Sequence, residues 1–361
     1  MSFWLVQNLS LLTEGFSPRR VPEVTRQAGM TTLGTKFTMN NSSLITIGFS
    51  SHRIEMIPFA KRLMEDHDVI ITEEAPDPKF SAMLNKKISI DEYLSNSDSG
   101  FPEFSSRMHK LLRELYRKEK VILQIEPYME KLMNIHEMFF TGKQPSDVLG
   151  IPGLREVYKV EKNATGALLH FYESSMKNSF QNVLDAVRNF ARADAERFCL
   201  RDTMRAKAIA NVLPGKKRVY VEAGAVHTHL EKALSRLSGT KYQIESLFLL
   251  KPVVQKLTGK TQVLAPGDIL TEHYISRKKR NNEFETLPSA RSLIYIQLLE
   301  KEEMIPSRLE RTPHIKDEIR AIELVNKLSL EQCEELYKKI RFRNRQQVLE
   351  IIQDYLKITT I

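Results

Sequence analysis

Cysteine is scarce: the 361 residues include two, Cys199 and Cys333. They stand far apart and match no zinc-ligand spacing, so neither a disulfide framework nor a cysteine metal site is expected. Reduced cysteines of this kind fit a cytoplasmic setting. Long apolar runs are missing too; none approaches the roughly 20 residues that span a bilayer. The first residues, Met1 to Val6, carry no basic stretch, so no secretory signal is expected. The chain also has no Gly-x-Gly-x-x-Gly, no P-loop, no Gly-x-Ser-x-Gly elbow, no His-Glu-x-x-His and no Cys-x-x-Cys. A Rossmann oxidoreductase, a P-loop nucleotidase and an ordinary serine hydrolase are thereby disfavoured.

What is present is an ordinary soluble composition, 42% hydrophobic and 27% charged, with a net charge of +9. The excess of base concentrates in Arg277–Arg280 and in Arg341 to Arg345. Neither run sits in a helix-turn-helix, zinc-finger or RNA-recognition signature, so nucleic acid is not the expected partner. The charge can still help draw in an anionic ligand.

The chain is organised around Val219–His229. A β-branched and aromatic run ends in Glu222, Gly224, His227 and His229, and a helical pattern follows. That reads as a strand delivering polar groups to its C-terminal end, where open α/β sheets place their sites. Leu44–Ile47 followed by Gly48, Ser50, Ser51 and His52 echoes it, with Ser50 or Ser51 as a cap for the next helix. Two further strands, 69–72 and 121–125, end in acids: Glu73 and Glu74 after the first, Glu126 after the second. The fold expected is α/β, with a central, largely parallel sheet flanked by helices and a helical C-terminal appendage. Its parts are an N-terminal extension (1–43), the α/β domain (44–300) and the appendage (313–361). Between Gly166 and Pro214 there is neither glycine nor proline, so two helices with a break near 190–195 are expected. Residues 251–290 read as loops with short elements. The tail after Pro313 reads as three helices with a capping box at Ser329–Gln332. It shows surface charge but no acid–histidine cluster, so it is expected to be peripheral to the chemistry.

The candidate chemical residues are His52, Glu74, Glu126, Arg201, Glu222 and His227, with Glu73 as an alternative to Glu74 and His229 as a weaker second histidine. Histidines and carboxylates converging on one sheet edge suit a divalent-metal or acid/base site. Arg201 lies on a helix where pairing with neighbours along the helix is the plain alternative; the functional one aims it at a cleft, to bind an anion or a developing oxyanion.

The order strand–Gly-x(2–3)-His, strand ending in Glu, late helix with Arg201-Asp202-Thr203-Met204, then strand–Gly224-Ala225-Val226-His227 resembles the superfamily of TraB/PrgY pheromone-shutdown proteins, Tiki proteases, ChaN-like haem-binding proteins and erythromycin esterases. The resemblance covers roughly 44–235. Gly48–His52 has the esterase spacing, with Phe49 where that form carries a glutamate. Tiki-like members imply a metal-dependent protease, the esterases histidine-assisted attack of water on a lactone, and ChaN-like members haem binding. The first expectation is a metal-assisted hydrolase of a small-molecule or peptide substrate. His52, Glu74 and His227 would hold the divalent ion or orient a water, Glu222 or Glu126 would serve as second acid or base, and Arg201 would steady negative charge. The alternatives are a haem- or anionic-ligand-binding protein and an inactive regulatory scaffold. A homo-oligomer is compatible with all three.

Overall fold

The computed structural model describes residues 43–359 apart from 96–99, 178, 214, 216 and 277–281. The extension at 1–43, apart from its last residue, and the basic run Arg277–Arg280 lie outside the described residues. The chain begins with β1 (Leu44–Ser50), α1 (Ile57–Glu65), β2 (Val69–Thr72), α2 (Phe80–Leu84), α3 (Ile90–Leu94), α4 (Pro102–Arg117) and β3 (Val121–Gln124). Helices α5 (Pro127–Phe140), α6 (Pro145–Gly150), α7 (Pro152–Lys177) and α8 (Phe180–Val212) follow. Then come β4 (Arg218–Gly224), α9 (His229–Ser238) and β5 (Gln243–Phe248). The rest is helical: α10 (Lys251–Thr258), α11 (Pro266–Ile275), α12 (Asn282–Leu298), α13 (Pro313–Asn326), α14 (Leu330–Ile340) and α15 (Arg345–Thr359).

The five strands form one parallel sheet in the order β3-β2-β4-β1-β5. All C-terminal ends therefore share one edge. The chain leaves β1 toward β2 and leaves β4 toward β5, in opposite directions across the sheet, and adjacent strands of that kind open a crevice beyond their C-termini. Gly48 is level with Glu222 and Ser50 with Gly224, so the two glycine–histidine turns lie side by side. The Ala225 N–H donates to the Ser50 carbonyl at 2.9 Å and ties them.

Alternation sorts the strand residues. Ile45, Ile47, Phe49, Val219, Val221 and Ala223 pack on one face with Ala206 and Ile209 of α8 and Leu230 of α9. On the other face Ile70 and Tyr220 meet Met108, Leu111 and Leu112 of α4. The largest apolar cluster lies beyond the sheet. It joins Val187 and Phe190 of α8 to Leu293, Ile322, Leu336 and Ile352 of α12 to α15. The helical tail thus shares a core with the rest of the chain.

Three expectations change. No break occurs at 190–195: α7 ends at Lys177, and α8 runs 33 residues through the core, where Ala191, Ala193 and Ala195 keep it slim. Residues 251–275 are largely helical, because Pro252 and Pro266 sit in first turns, where a missing N–H costs nothing. Ser50 caps no helix; its Oγ accepts the His52 N–H at 3.1 Å inside the turn. The capping box at Ser329 and Gln332 forms as expected.

Gly48 is needed for packing. A Cβ there would lie 2.3 Å from the Tyr220 hydroxyl and 2.6 Å from its ring. Gly48→Ala should therefore destabilise the fold by about 1–3 kcal/mol through overpacking. Denaturant unfolding checks this; an unchanged midpoint would mean that the buried Tyr220 ring moves aside freely.

Candidate active site

A cavity of about 480 Å³ opens at the C-terminal edge of the sheet and is lined by His52, Glu73, Glu74, Arg201 and His227, among others. The expectation that both histidine turns serve one cleft is met. His229 begins α9 and does not line the cavity.

The buried centre is Glu73. Its Oε1 lies 2.8 Å from Arg201 Nη2 and 2.9 Å from His227 Nε2. Its Oε2 accepts the Gly224 N–H at 2.6 Å and faces Arg205 Nη1 at 3.7 Å. Burial alone would raise the Glu73 pKa, but His227 and Arg201 outweigh it and hold the carboxyl well below its usual range. His227 is gripped from the other side by Asp202, whose Oδ1 is 2.5 Å from Nδ1, and Phe198 packs edge-on against the ring. Burial works against a charged imidazole here, yet Glu73 and Asp202 push its pKa up to about 9. Behind them Glu126 is ion-paired with Arg201 Nε at 3.1 Å and with Arg205 at 3.8 Å, while Arg205 Nε donates to the Ile125 carbonyl at 3.0 Å. Fully buried, it positions the two arginines and does not line the cavity, so it is not placed to act on a bound molecule.

His52 is different in kind. Its backbone sits at φ +49, a region a non-glycine residue rarely adopts. Its side chain is 29% exposed, against 3% for His227. Nε2 lies 4.0 Å from Glu73 Oε2 and 4.0 Å from Glu222 Oε1. Burial drives the Glu222 pKa up; His52 opposes this, while Glu74 and Glu73 reinforce it. Gly224 leaves the space in which these groups meet: a Cβ there would come within 3.3 Å of His227 and 3.7 Å of both Glu73 and His52.

Glu74 points elsewhere. It receives Gln124 Nε2 at 2.8 Å and faces His109 Nε2 at 3.5 Å. The expected ligand trio of His52, Glu74 and His227 is therefore not brought together. Both ring nitrogens of His227 face carboxylates, and the Glu73 oxygens beside it already accept from Arg201 and a backbone N–H and are paired with Arg205 at 3.7 Å. A divalent ion needs a free imidazole lone pair and repels nearby guanidinium, so this donor set does not suit one. Among the described residues no other group of His, Cys, Asp or Glu is arranged to hold a metal. Haem fits no better. Its propionates would meet a lining that includes Glu74, Asp268, Glu300, Asp317 and Glu318.

Those last residues correct the view of the tail as peripheral. His314, Asp317 and Glu318 of α13 form a wall of the cavity. Glu55, just after His52, accepts the N–H groups of His314 at 3.1 Å and Ile315 at 2.8 Å, capping α13 with a carboxylate.

With this geometry in hand, comparison with known proteins finds 30% identity over 289 residues with an uncharacterized protein of Archaeoglobus fulgidus, covering 80% of this chain and 96% of that protein. The chain belongs to the same family as that archaeal protein. No family profile and no solved structure matches it. Among the described residues no helix is long and apolar enough to cross a membrane.

Sequence reasoning did not single out Asp202, Arg205 or His109. Asp202 stands inside the Arg201-Asp202-Thr203-Met204 motif, and Arg205 follows Arg201 by one helical turn, so helical spacing was the available signal. His109 gave none beyond a lone histidine on an amphipathic helix.

His227 makes stability depend on pH. Its pKa is raised from 6.5 to about 9, so its contribution is complete below pH 6.5 and is lost as pH rises through 9. Thermal midpoints should fall across that window, and His227→Gln should be less stable at pH 6.5 and flatter above it. An unchanged slope in the variant would assign the alkaline loss to other groups.

Proposed function

We propose that the protein is a hydrolase of an ester or peptide bond in a small-molecule or peptide substrate, using histidine–carboxylate chemistry without a resident metal. One observation carries this reading. An accessible histidine, His52, faces two buried carboxyl groups, Glu73 and Glu222, whose environments push them in opposite directions. Carboxyl groups driven apart in this way are suited to separate acid and base roles. Glu73 is a fixed anion that aligns His227 and Arg201. Glu222 is poised to hold or share a proton with His52.

In this reading His52 Nε2 takes a proton from a water in the cleft as that water attacks the carbonyl carbon. The proton rests on the imidazole, next to Glu222, and passes to the leaving oxygen or nitrogen as the tetrahedral intermediate collapses. Arg201 lines the cavity, and the N–H groups it does not give to Glu73 and Glu126 are the dipoles toward which the oxyanion develops; His227, with both ring nitrogens on carboxylates, holds Glu73 in place. The two carboxylates keep Arg201 aligned before the substrate arrives. The likeness to the histidine-assisted esterases supports the same chemistry, though Phe49 removes the glutamate that those proteins carry in the first turn.

The test is turnover of p-nitrophenyl esters and a peptide panel by chelator-treated protein. His52→Ala should lower kcat by about 10²–10⁴-fold, and Glu222→Gln should lower it less while shifting the pH profile. Full turnover by His52→Ala, or none by the wild type across the panel, would sink the reading.

A further inference from the structure

The proposed chemistry makes no use of Glu74, yet this residue is the best-supported exposed carboxylate of the cleft. It lines the cavity with 36% of its side chain exposed. Two side chains behind it, Gln124 and His109, fix its direction. Gln124 Nε2 donates to Oε2 at 2.8 Å. That amide is itself oriented, because its Oε1 accepts the Asp77 N–H at 2.9 Å and its Nε2 lies 3.1 Å from the Tyr93 hydroxyl. Buried His109 donates Nδ1–H to the Ser105 carbonyl at 2.8 Å, which turns Nε2 toward Glu74 Oε1 at 3.5 Å. The ring is held between Tyr93 and Phe80. A carboxylate braced from behind and open in front is built to meet something in the cavity.

The rest of the lining says what sign that partner carries. Arg201 is engaged by Glu73 and Glu126. Arg53 lies on the Phe101 ring, 3.6 Å from its centroid, and faces Glu318 and Glu55. His314 Nε2 accepts the Met304 N–H at 2.8 Å and is neutral at physiological pH, its pKa lowered by burial to about 4. No lysine lines the cavity among the described residues, whereas Asp268, Glu300, Asp317 and Glu318 do. Glu300 and Asp317 are paired with Arg345, and burial raises the pKa of Asp268 and lifts that of Glu318 to about 7, so Glu74 is the carboxylate whose charge is open to the cavity. Met129, Met133 and Phe198 add an apolar side.

We infer that Glu74 is a specificity residue: the cleft takes substrates that join an apolar group to an ammonium or similar organic cation, and Glu74 is the counter-ion. Calling the ligand a substrate rests on the hydrolase reading; the preference for a cation does not. His109 and Gln124 are positioning residues for Glu74.

Binding of two matched probes, 4-phenylbutylamine and 4-phenylbutanol, to the full chain decides this. Titration calorimetry in EDTA-containing buffer at neutral pH keeps metal ions out of the comparison. The wild type should bind the amine about two- to fivefold tighter than the alcohol, the worth of one partly screened ion pair. Glu74→Gln should bring the ratio close to one while leaving the alcohol bound as before. Equal binding of both probes by the wild type, or binding of neither, overturns the inference without any variant. A preference that survives Glu74→Gln but vanishes in Asp268→Asn places the counter-ion on α11 and overturns it as well. Because no bond is broken, a clear amine preference in a protein that hydrolyses nothing would remove the hydrolase reading and leave Glu74 as a cation site.

Discussion

The geometry of this protein depends on one buried carboxylate. Glu73, at the end of β2, is held by the backbone of Gly224 at the end of β4, by Arg201 and Arg205 on α8, and by His227 in the turn after β4. Removing so many charges from water is costly, and such networks rarely add much net stability. What they supply is uniqueness of arrangement. Each partner leaves the others few alternatives, so segments distant in sequence meet in one way. Glu73, Glu126 and Asp202 stand against Arg201, Arg205 and protonated His227, and the charges balance within the cluster. A balanced interior lets His52 and Glu74, at the cavity surface, set the field that an incoming molecule feels.

The parallel strands and the two glycine–histidine turns were legible in the sequence because period-two apolar runs ending in Gly and polar residues have few other uses. The shared sheet edge then followed from topology. Other features were hidden for physical reasons. Glu73 and Glu74 are adjacent at a strand end, and neighbouring residues there face different ways. Sequence favoured Glu74 as the residue beside the histidines; packing gives that place to Glu73 and turns Glu74 toward α4. The prolines at 252 and 266 suggested broken chain, although proline starts helices as readily as it ends them. Arg201, Asp202 and Arg205 look like surface charges on a long helix. Only the crossing of α8 under the sheet edge turns that face inward.

The tail was misjudged by the same kind of reasoning. Its charge and caps suit a peripheral bundle, and no residue in it has an obvious chemical role. Its contribution is spatial. α13 closes one side of the cavity, and the carboxylate that caps it belongs to the segment that carries His52. Cavity shape and histidine placement are therefore coupled through Glu55. A ligand that displaces α13 also disturbs the turn in which His52 holds its uncommon backbone angle.

The order in which the parts of the cavity are made follows from this. Synthesis runs from the N-terminus, so β1 and His52 leave the ribosome long before α13 does. Until then the cavity lacks a wall, Glu55 has no helix to cap, and the apolar faces of α7 and α8 that later meet α12 to α15 are bare. A growing chain therefore passes through a stage with a complete sheet and an open, sticky flank. A cell making this protein must shield that flank until the final helices arrive, and an early stop in translation yields a species suited to aggregation and to capture by chaperones.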